Sequence, residues 1–227
     1  LCRSSAASDV YKRQLLDPFK NNSLNEINFT KNIIKILLSK SLNINMREFF
    51  WFTSGLELFY LEKYIDTYYK NLPLLGELSS FFLIKQHNLS LMKFTDQFKL
   101  GYKFIAGRNL NQMISLPSNE LTRINYKMGS PSKSLSSLKL LKSYIGDDSF
   151  MSSLSDIFSS KKMITSNDEI KNYFEKNSEF SLDWFFDSYI NYSGQTDFKI
   201  NKKKSSISIK NKTFKEFSLP IPLSLRN

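Results

Sequence analysis

The spacing of the apolar side chains changes once along this chain, and that change limits which folds it can adopt. Over most of the sequence, large apolar residues recur at intervals of three and four, which places them on one face of an α-helix. After Gly194 polar and apolar residues alternate instead, most clearly over residues 206–210, and this period is typical of a β-strand. We therefore expect a mainly α-helical protein in which β-strands follow the helices.

Breaks in the pattern and residues suited to helix ends define the helices of the first half. The pattern predicts helices over residues 25–42, 51–69, 74–86 and 95–106. Another helix should begin at Ser118 and run towards Tyr126. The first helix should bury one face, which carries Ile27, Ile33, Ile34, Leu37 and Leu38.

The second half contains clearer signals for helix ends. One helix should follow a break at residues 129–131 and end at Gly146. Its buried face should consist of Leu135, Leu138, Leu141 and Ile145. Residues 147–148 are both Asp, which favours the start of the next helix because negative charge stabilises a helix N-terminus. Ser166 and Glu169 have the spacing of a capping box and predict a further helix start.

The first fourteen residues, LCRSSAASDVYKRQ, differ in composition from the rest of the chain. They hold the only Cys, the only Val and two of the three Ala, whereas Lys, Asn, Ile, Leu, Phe and Ser dominate from Leu15 onward. They also lack the apolar stretch of about seven to fifteen residues that a secretory signal needs. We interpret residues 1–14 as translated sequencing-adapter DNA and expect the folded protein to begin at Leu15.

The chain is basic, with a formal net charge of +11. Residues 1–14 contribute three basic residues and one acidic residue, so the remainder has 29 basic and 20 acidic residues and a net charge of +9. Such a balance is compatible with nucleic acid as a partner, but Lys far outnumbers Arg and no arginine-rich stripe is present. We therefore do not expect nucleic acid to be the partner.

Residues 15–227 contain no Cys, which excludes disulfides and thiolate metal sites in this part of the chain. They also contain no apolar run long enough to span a membrane.

Three segments carry a recognisable pattern. They are WFTSGLELFYLEKYI from Trp51, INYKMGSPSKSLSSLKLLKSYIGDDSF from Ile124 and SLDWFFDSYINYSGQTDF from Ser181. In this order they resemble the gluzincin zinc aminopeptidases, the family of alanyl aminopeptidase and leukotriene hydrolase. The resemblance implies the helical second half of a thermolysin-like peptidase domain over residues 15–195, followed over residues 196–227 by the first strands of a truncated β-sandwich. It also implies that Trp184 and Phe185 are packing residues.

The zinc ligands of that family are missing at the matching positions. In the family the first segment reads roughly W-L-N-E-G-x-x-x-Y, and its Glu binds zinc together with the two His of an H-E-x-x-H motif about eighteen residues earlier. Here Ser54 stands at the Glu position, and KNIIK, with Lys31, Asn32 and Lys35, stands where H-E-x-x-H belongs. A hydroxyl and two ammonium groups cannot replace two imidazoles and a carboxylate, because protonated lysines repel a cation. The only His, His87, lies far from these positions in the sequence, so we expect no zinc or other cofactor and no unaided peptide hydrolysis.

One candidate catalytic residue follows from the second segment, which resembles the family's Y-E-K-G stretch. The Tyr of that stretch donates a hydrogen bond to the oxyanion of the tetrahedral intermediate, and Tyr126 in YKMG matches it. The resemblance therefore predicts an inactive peptidase-like domain that serves as a binding or scaffold module for peptides or proteins. Two alternatives remain open: an active metallo-aminopeptidase whose zinc motif lies outside this fragment, and a basic helical module that binds nucleic acid.

Overall fold

The computed structural model of the chain describes residues 23–76, 79, 91–194, 198–203 and 206–212. Over these residues the protein is mainly helical and contains a two-stranded antiparallel sheet, as the change of apolar period predicts. The α-helices are α1 (Ser23–Ser41), α2 (Phe50–Tyr68), α3 (Asp96–Ala106), α4 (Ser130–Ile145), α5 (Asp147–Ser159), α6 (Asn167–Lys176) and the short α7 (Asp183–Phe185). The other elements are two π-helices, π1 (Asn125–Gly129) and π2 (Phe186–Ile190), and the strands β1 (Phe198–Lys203) and β2 (Ser206–Asn211). No helix among these residues is long and apolar enough to cross a membrane.

Two compact units make up the chain, and the first contains residues 23–34 with the described part of residues 60–97. Its buried apolar side chains include Ile27, Leu61, Ile65 and Phe94. The hydroxyl of Tyr69 donates a hydrogen bond to the carboxylate of Glu26. An antiparallel bridge joins Pro73 to Lys93. These contacts attach the segment that follows α2 to the first turn of α1 and to the segment that precedes α3.

The second unit contains residues 35–59 and the described residues from 98 onward, and its core is rich in aromatic rings. Its largest fully buried side chains include Trp51, Phe52, Phe150, Phe174 and Phe185. The ring of Phe174 lies 5.5 Å from that of Phe150 and 6.5 Å from that of Phe52, measured between centroids. The aromatic cluster therefore joins α2, α5 and α6. At its edge the indole N–H of Trp51 donates a 2.9 Å hydrogen bond to the side-chain oxygen of Asn167.

Helix α4 has the amphipathic form that the sequence predicts. Its buried side chains include Leu135, Leu138, Leu141 and Ile145. The helix ends at Gly146, whose φ of 90° is open to glycine and strained for other residues. Helix α5 then begins at once with Asp147, so both predicted helix ends are confirmed. Helix α2 packs tightly against α4, because a β-carbon at Gly55 would lie only 2.9 Å from Leu138 Cδ1.

The predicted capping box at α6 is present in a modified form. The hydroxyl oxygen of Ser166 accepts a 3.2 Å hydrogen bond from the backbone N–H of Glu169, as expected. The carboxylate of Glu169 accepts a 2.7 Å hydrogen bond from the backbone N–H of Thr165, one residue before the cap. Both groups thus stabilise the start of α6, although the carboxylate bonds an earlier amide than the motif predicts.

The predicted buried face of α1 is partly wrong. Ile27 and Leu38 are buried, but Ile33 and Leu37 are exposed, Leu37 by 57%. Successive residues of an α-helix are rotated by about 100°, so Ile33 and Leu37 lie beside the buried strip and outside it. The predicted face was wider than the surface that α1 buries.

The region before α4 also differs from the prediction. Ser118 does not start a helix: its backbone N–H donates a 2.8 Å hydrogen bond to the carbonyl of Arg47, and helical structure begins at residue 123. The expected break at residues 129–131 is absent, because π1 continues directly into α4. Pro131 lies in the first turn of α4, the part of a helix in which proline is best tolerated.

Strands β1 and β2 confirm β-structure after Gly194. They pair in antiparallel register, with Ile200 opposite Ile209 and Lys202 opposite Ile207. The three isoleucines therefore share one face of the hairpin. The predictions for residues 1–14, most of the helix at residues 74–86, and residues 213–227 lie outside the described residues.

Candidate functional site

Tyr126, the candidate catalytic residue, lies in π1. Its backbone N–H donates a 2.8 Å hydrogen bond to the carbonyl oxygen of Thr122. A π-helical turn within a helical segment occurs frequently at functional sites, because the extra residue redirects the side chains around it. Tyr126 therefore lies in a helical distortion of the kind in which functional residues are often found.

The Tyr126 ring stacks on the ring of Phe50, with centroids 4.8 Å apart and an angle of 16° between the planes. Phe50 is the first residue of α2, and Ser54 follows about one turn later. The structure thus brings Tyr126 next to the start of the Trp51 segment. Tyr126 remains 43% exposed, so its aromatic surface is available to a ligand.

A buried amide network holds π1 in place. Asn125, which is buried, donates 2.8 Å hydrogen bonds from its side-chain nitrogen to the carbonyl of Leu110 and to the hydroxyl of Thr122. Gln112 accepts a 2.7 Å hydrogen bond from the backbone N–H of Thr122. A β-carbon at Gly129 would lie 2.5 Å from the side-chain oxygen of Asn125, so glycine leaves room for this amide. Sequence reasoning missed Asn125, since an Asn beside a Tyr carries no distinctive signal.

Ser54, at the position of the missing zinc-binding Glu, is buried. Its hydroxyl has no hydrogen-bond partner among the described residues. Lys35, at a His position of the motif, is exposed, and it makes no hydrogen bond to Ser54. Lys31 and Asn32 belong to the first unit and Ser54 to the second.

Metal donors are not grouped in the described part of the chain. No cluster of three or more His, Cys, Asp or Glu residues in these ranges has a geometry that could hold a metal ion. His87 and Cys2 lie outside the described residues.

A buried lysine in the first turn of α4 was not anticipated. Lys133 is only 5% exposed, and its ammonium group donates a 2.6 Å hydrogen bond to the carbonyl oxygen of Tyr192. Burial lowers the pKa of Lys133 to about 8, because a charged amine is poorly solvated inside a protein. Lys133 therefore links α4 to the segment that follows π2. A lysine gives no sequence signal for burial, since most lysines are exposed.

Several hydroxyl groups on α4 are also buried. The side-chain oxygens of Ser130, Ser134 and Ser137 have no hydrogen-bond partner among the described residues. These residues recur at intervals of four and three and so share one face of α4. Ser134 meets α2 directly, because a β-carbon at Gly55 would lie 3.0 Å from that of Ser134. Small residues thus line the contact between the two helices.

Comparison with known proteins adds no relative. No family model matches the chain, and no curated protein or solved structure is similar to it at the level required for a match.

Tyr126 and Lys133 differ in how accessible they are. Tyr126 offers an accessible ring and hydroxyl, and the amide network of Asn125 fixes its backbone. Lys133 is enclosed and its ammonium group donates a hydrogen bond to the carbonyl oxygen of Tyr192, so it is poorly placed to act on a ligand. Within the described residues, the groups around Tyr126 do not form a pair of nucleophile and general base.

Proposed function

We propose that this chain is a divergent, zinc-less relative of the gluzincin aminopeptidases that binds peptides and does not hydrolyse them. In this proposal residues 15–195 correspond to the helical second half of a thermolysin-like peptidase domain, and residues 196–227 to the first strands of a β-sandwich. The proposal extends the resemblance of the three sequence segments, and it requires no cofactor.

The stacking of Tyr126 on Phe50 is the observation that carries the proposal. Phe50 is the first residue of α2. In this proposal Tyr126 corresponds to the family's oxyanion-stabilising Tyr, and α2 corresponds to the helix that carries the family's third zinc ligand. Tyr126 is accessible, whereas Ser54 is buried and uncharged. A peptide could therefore contact the tyrosine, but no carboxylate stands at the ligand position to help hold a metal.

Peptide binding at Tyr126 can be tested with a fluorescein-labelled alanine peptide that has a free N-terminus. We expect saturable binding, measured by fluorescence anisotropy, and about fivefold or greater weakening in Tyr126→Ala, because a stacked ring is lost from the contact surface. Tyr68→Ala is the matched control, since Tyr68 is also an exposed tyrosine. Equal weakening in both variants, or no binding at all, would refute peptide binding at Tyr126.

Restoring the ligands tests the alignment of Ser54 with the missing Glu. The restored variant carries Lys31→His, Asn32→Glu, Lys35→His and Ser54→Glu. If these positions correspond to the family's site, this variant should acquire zinc close to one atom per chain, because the family's three ligand types would then all be present. The control keeps Ser54 and carries the other three changes, and it should bind zinc more weakly. Circular dichroism confirms that both variants are folded; equal zinc content in folded variants would contradict the alignment.

A further inference from the structure

Charge is unevenly distributed within the second unit. Residues 98–129 contain five basic residues and one acidic residue, a net charge of +4. The basic residues are Lys99, Lys103, Arg108, Arg123 and Lys127, and all five are exposed. Residues 130–194 contain seven basic and nine acidic residues, a net charge of −2. Between residues 98 and 194 the positive charge therefore lies in the first stretch. Residues 195–227, which contain eight basic and two acidic residues, are a second basic stretch of this unit.

The cations of residues 98–129 and of residues 130–194 also differ in their partners. In residues 130–194, four lysines form ion pairs with Asp or Glu, namely Lys142, Lys162, Lys171 and Lys176. No ion pair joins any of the five cations of residues 98–129 to another residue in the described ranges. No carboxylate of the described residues therefore forms an ion pair with these five cations, and their charge is available to a partner.

Tight packing brings the two cationic elements together. A β-carbon at Gly101 in α3 would lie 2.6 Å from the Met128 side chain in π1, so these elements are in direct contact. Lys99 and Lys103 are four residues apart on α3 and share a side of the helix. The guanidinium of Arg108 lies 3.8 Å from the centre of the Phe104 ring.

Apolar side chains are exposed among these cations. They are Phe104, Leu110, Met113 and Tyr126. The loop that carries Leu110 and Met113 is fastened to π1, because Asn125 hydrogen-bonds the carbonyl of Leu110 and accepts a 3.4 Å hydrogen bond from the N–H of Gln112. Exposed apolar groups next to polar ones are typical of interaction sites. We call the exposed side chains of residues 98–129 the cationic surface.

We propose that the cationic surface binds an acidic peptide segment that also carries apolar side chains. This inference rests on the proposed function, for which it names the class of peptide. The unpaired cations complement carboxylates, and the exposed apolar groups give the partner's apolar side chains a place to bind. We favour a peptide over nucleic acid, because Leu110 and Met113, two of the four exposed apolar side chains, are aliphatic: they can pack against an apolar side chain of a peptide but give a base no aromatic face on which to stack. Three of the five cations are lysines, which lack the bidentate geometry of arginine for phosphate.

The experiment uses the full chain and a fluorescein-labelled peptide in which Glu and Leu alternate. The test variant carries Lys103→Glu, Arg123→Glu and Lys127→Glu. The control variant carries Lys161→Glu, Lys199→Glu and Lys210→Glu, three exposed lysines outside the cationic surface, so that both variants have the same net charge. We expect the test variant to bind the peptide at least about tenfold more weakly than the control variant, and binding by the native chain to weaken with rising salt.

Two further probes define what would overturn the proposal. A peptide in which Glu and Ser alternate should bind more weakly than the Glu-Leu peptide, and equal binding would overturn the role of the apolar groups. A single strand of oligothymidine should bind more weakly than the Glu-Leu peptide; tighter binding that the test variant loses would replace the peptide by nucleic acid. Equal peptide binding by the two variants would also overturn the proposal. If the two variants bind the Glu-Leu peptide equally but the alanine peptide still binds through Tyr126, this inference fails and the proposed function stands.

Discussion

The ammonium group of Lys133 donates a 2.6 Å hydrogen bond to the carbonyl oxygen of Tyr192, which ties the start of α4 to the segment that follows π2. The lysine lies almost wholly inside the protein. Its charge is stabilised by this acceptor but is destabilised by the loss of water. The balance makes the stability of the second unit depend on pH.

Stability should increase as the pH rises from about 8 towards 10.5. The folded-state pKa of Lys133 is about 8 and its ordinary value is 10.5, so between these values the unfolded chain binds more protons and folding becomes more favourable. The penalty for the buried charge is fully present below pH 8. Between pH 7 and 9.5 we expect the native chain to gain about 2 kcal/mol relative to Lys133→Met. The measurement is urea unfolding of both proteins.

The comparison with Lys133→Met should stay below pH 10, because burial also raises the pKa of Tyr60 and of Tyr102. Unfolding is favoured when such tyrosines ionise, so they act in the opposite direction above that pH. If the two proteins have parallel stability curves between pH 7 and 9.5, Lys133 is not buried in its charged form.

Removing a buried hydroxyl that lacks a partner should cost nothing. Ser134 and Ser153 are both fully buried in helices, but the Ser153 hydroxyl donates a 2.8 Å hydrogen bond to the carbonyl of Ser149, whereas the Ser134 hydroxyl has no partner among the described residues. We expect Ser134→Ala to raise the free energy of unfolding by up to about 1 kcal/mol, and Ser153→Ala to lower it by about the same amount. Thermal unfolding distinguishes them. A loss of stability in Ser134→Ala as large as in Ser153→Ala would mean that Ser134 has an ordered partner.

Gly55 should be intolerant of a side chain. Alanine is favoured over glycine in a helix by about 1 kcal/mol, yet its β-carbon would lie 2.9 Å from Leu138 Cδ1 and 3.0 Å from the β-carbon of Ser134. Overpacking of this kind costs about 1–3 kcal/mol, so we expect Gly55→Ala to lower stability. Gly55→Ala combined with Leu138→Val tests the cause, because the shorter side chain removes the closest contact. A stabilising Gly55→Ala would show that α2 and α4 are farther apart than described.

The capping carboxylate of α6 should make stability sensitive to acid. The Glu169 pKa is lowered to about 2, first by the hydrogen bond from Lys162 and then by that from the backbone N–H of Thr165. A lowered acid pKa contributes stability that is present above pH 4.5 and is lost as the pH falls towards 2. Glu169→Gln keeps an acceptor oxygen but cannot ionise, so the stability difference between native chain and variant should shrink over this range. Circular dichroism during urea unfolding at pH 5 and pH 3 measures it, and an unchanged difference would contradict the assignment.

The apolar pattern predicted the helices of the second unit because their buried positions are occupied by apolar residues at a helical period. Leu138 and Leu141 in α4 are examples. The same reasoning could not find Lys133 or Ser134, since their polar side chains are normally exposed and only the packing around them makes them buried. It also could not find the contact of Tyr126 with Phe50. That contact joins segments far apart in the sequence, and a sequence pattern alone gives no distances between them.

The π-helical turn at Tyr126 explains why the predicted helix break at residues 129–131 is wrong. Gly129 and Pro131 are usually signs of a break, yet the chain continues through them as helix. Gly129 is instead required for space, because the Asn125 amide occupies the position that a β-carbon would take. Gly129 is thus explained by a tertiary contact, whereas the sequence pattern had suggested a local break in the helix.

The most direct test of the central proposal is the zinc content of the purified chain, measured by mass spectrometry, together with hydrolysis of aminoacyl-nitroanilide substrates with and without added Zn²⁺. The account predicts less than stoichiometric zinc and no turnover in either condition, because Ser54 and the lysines of KNIIK cannot serve as ligands. One zinc per chain with zinc-dependent hydrolysis would contradict it and would mean that the ligands come from other residues of the protein.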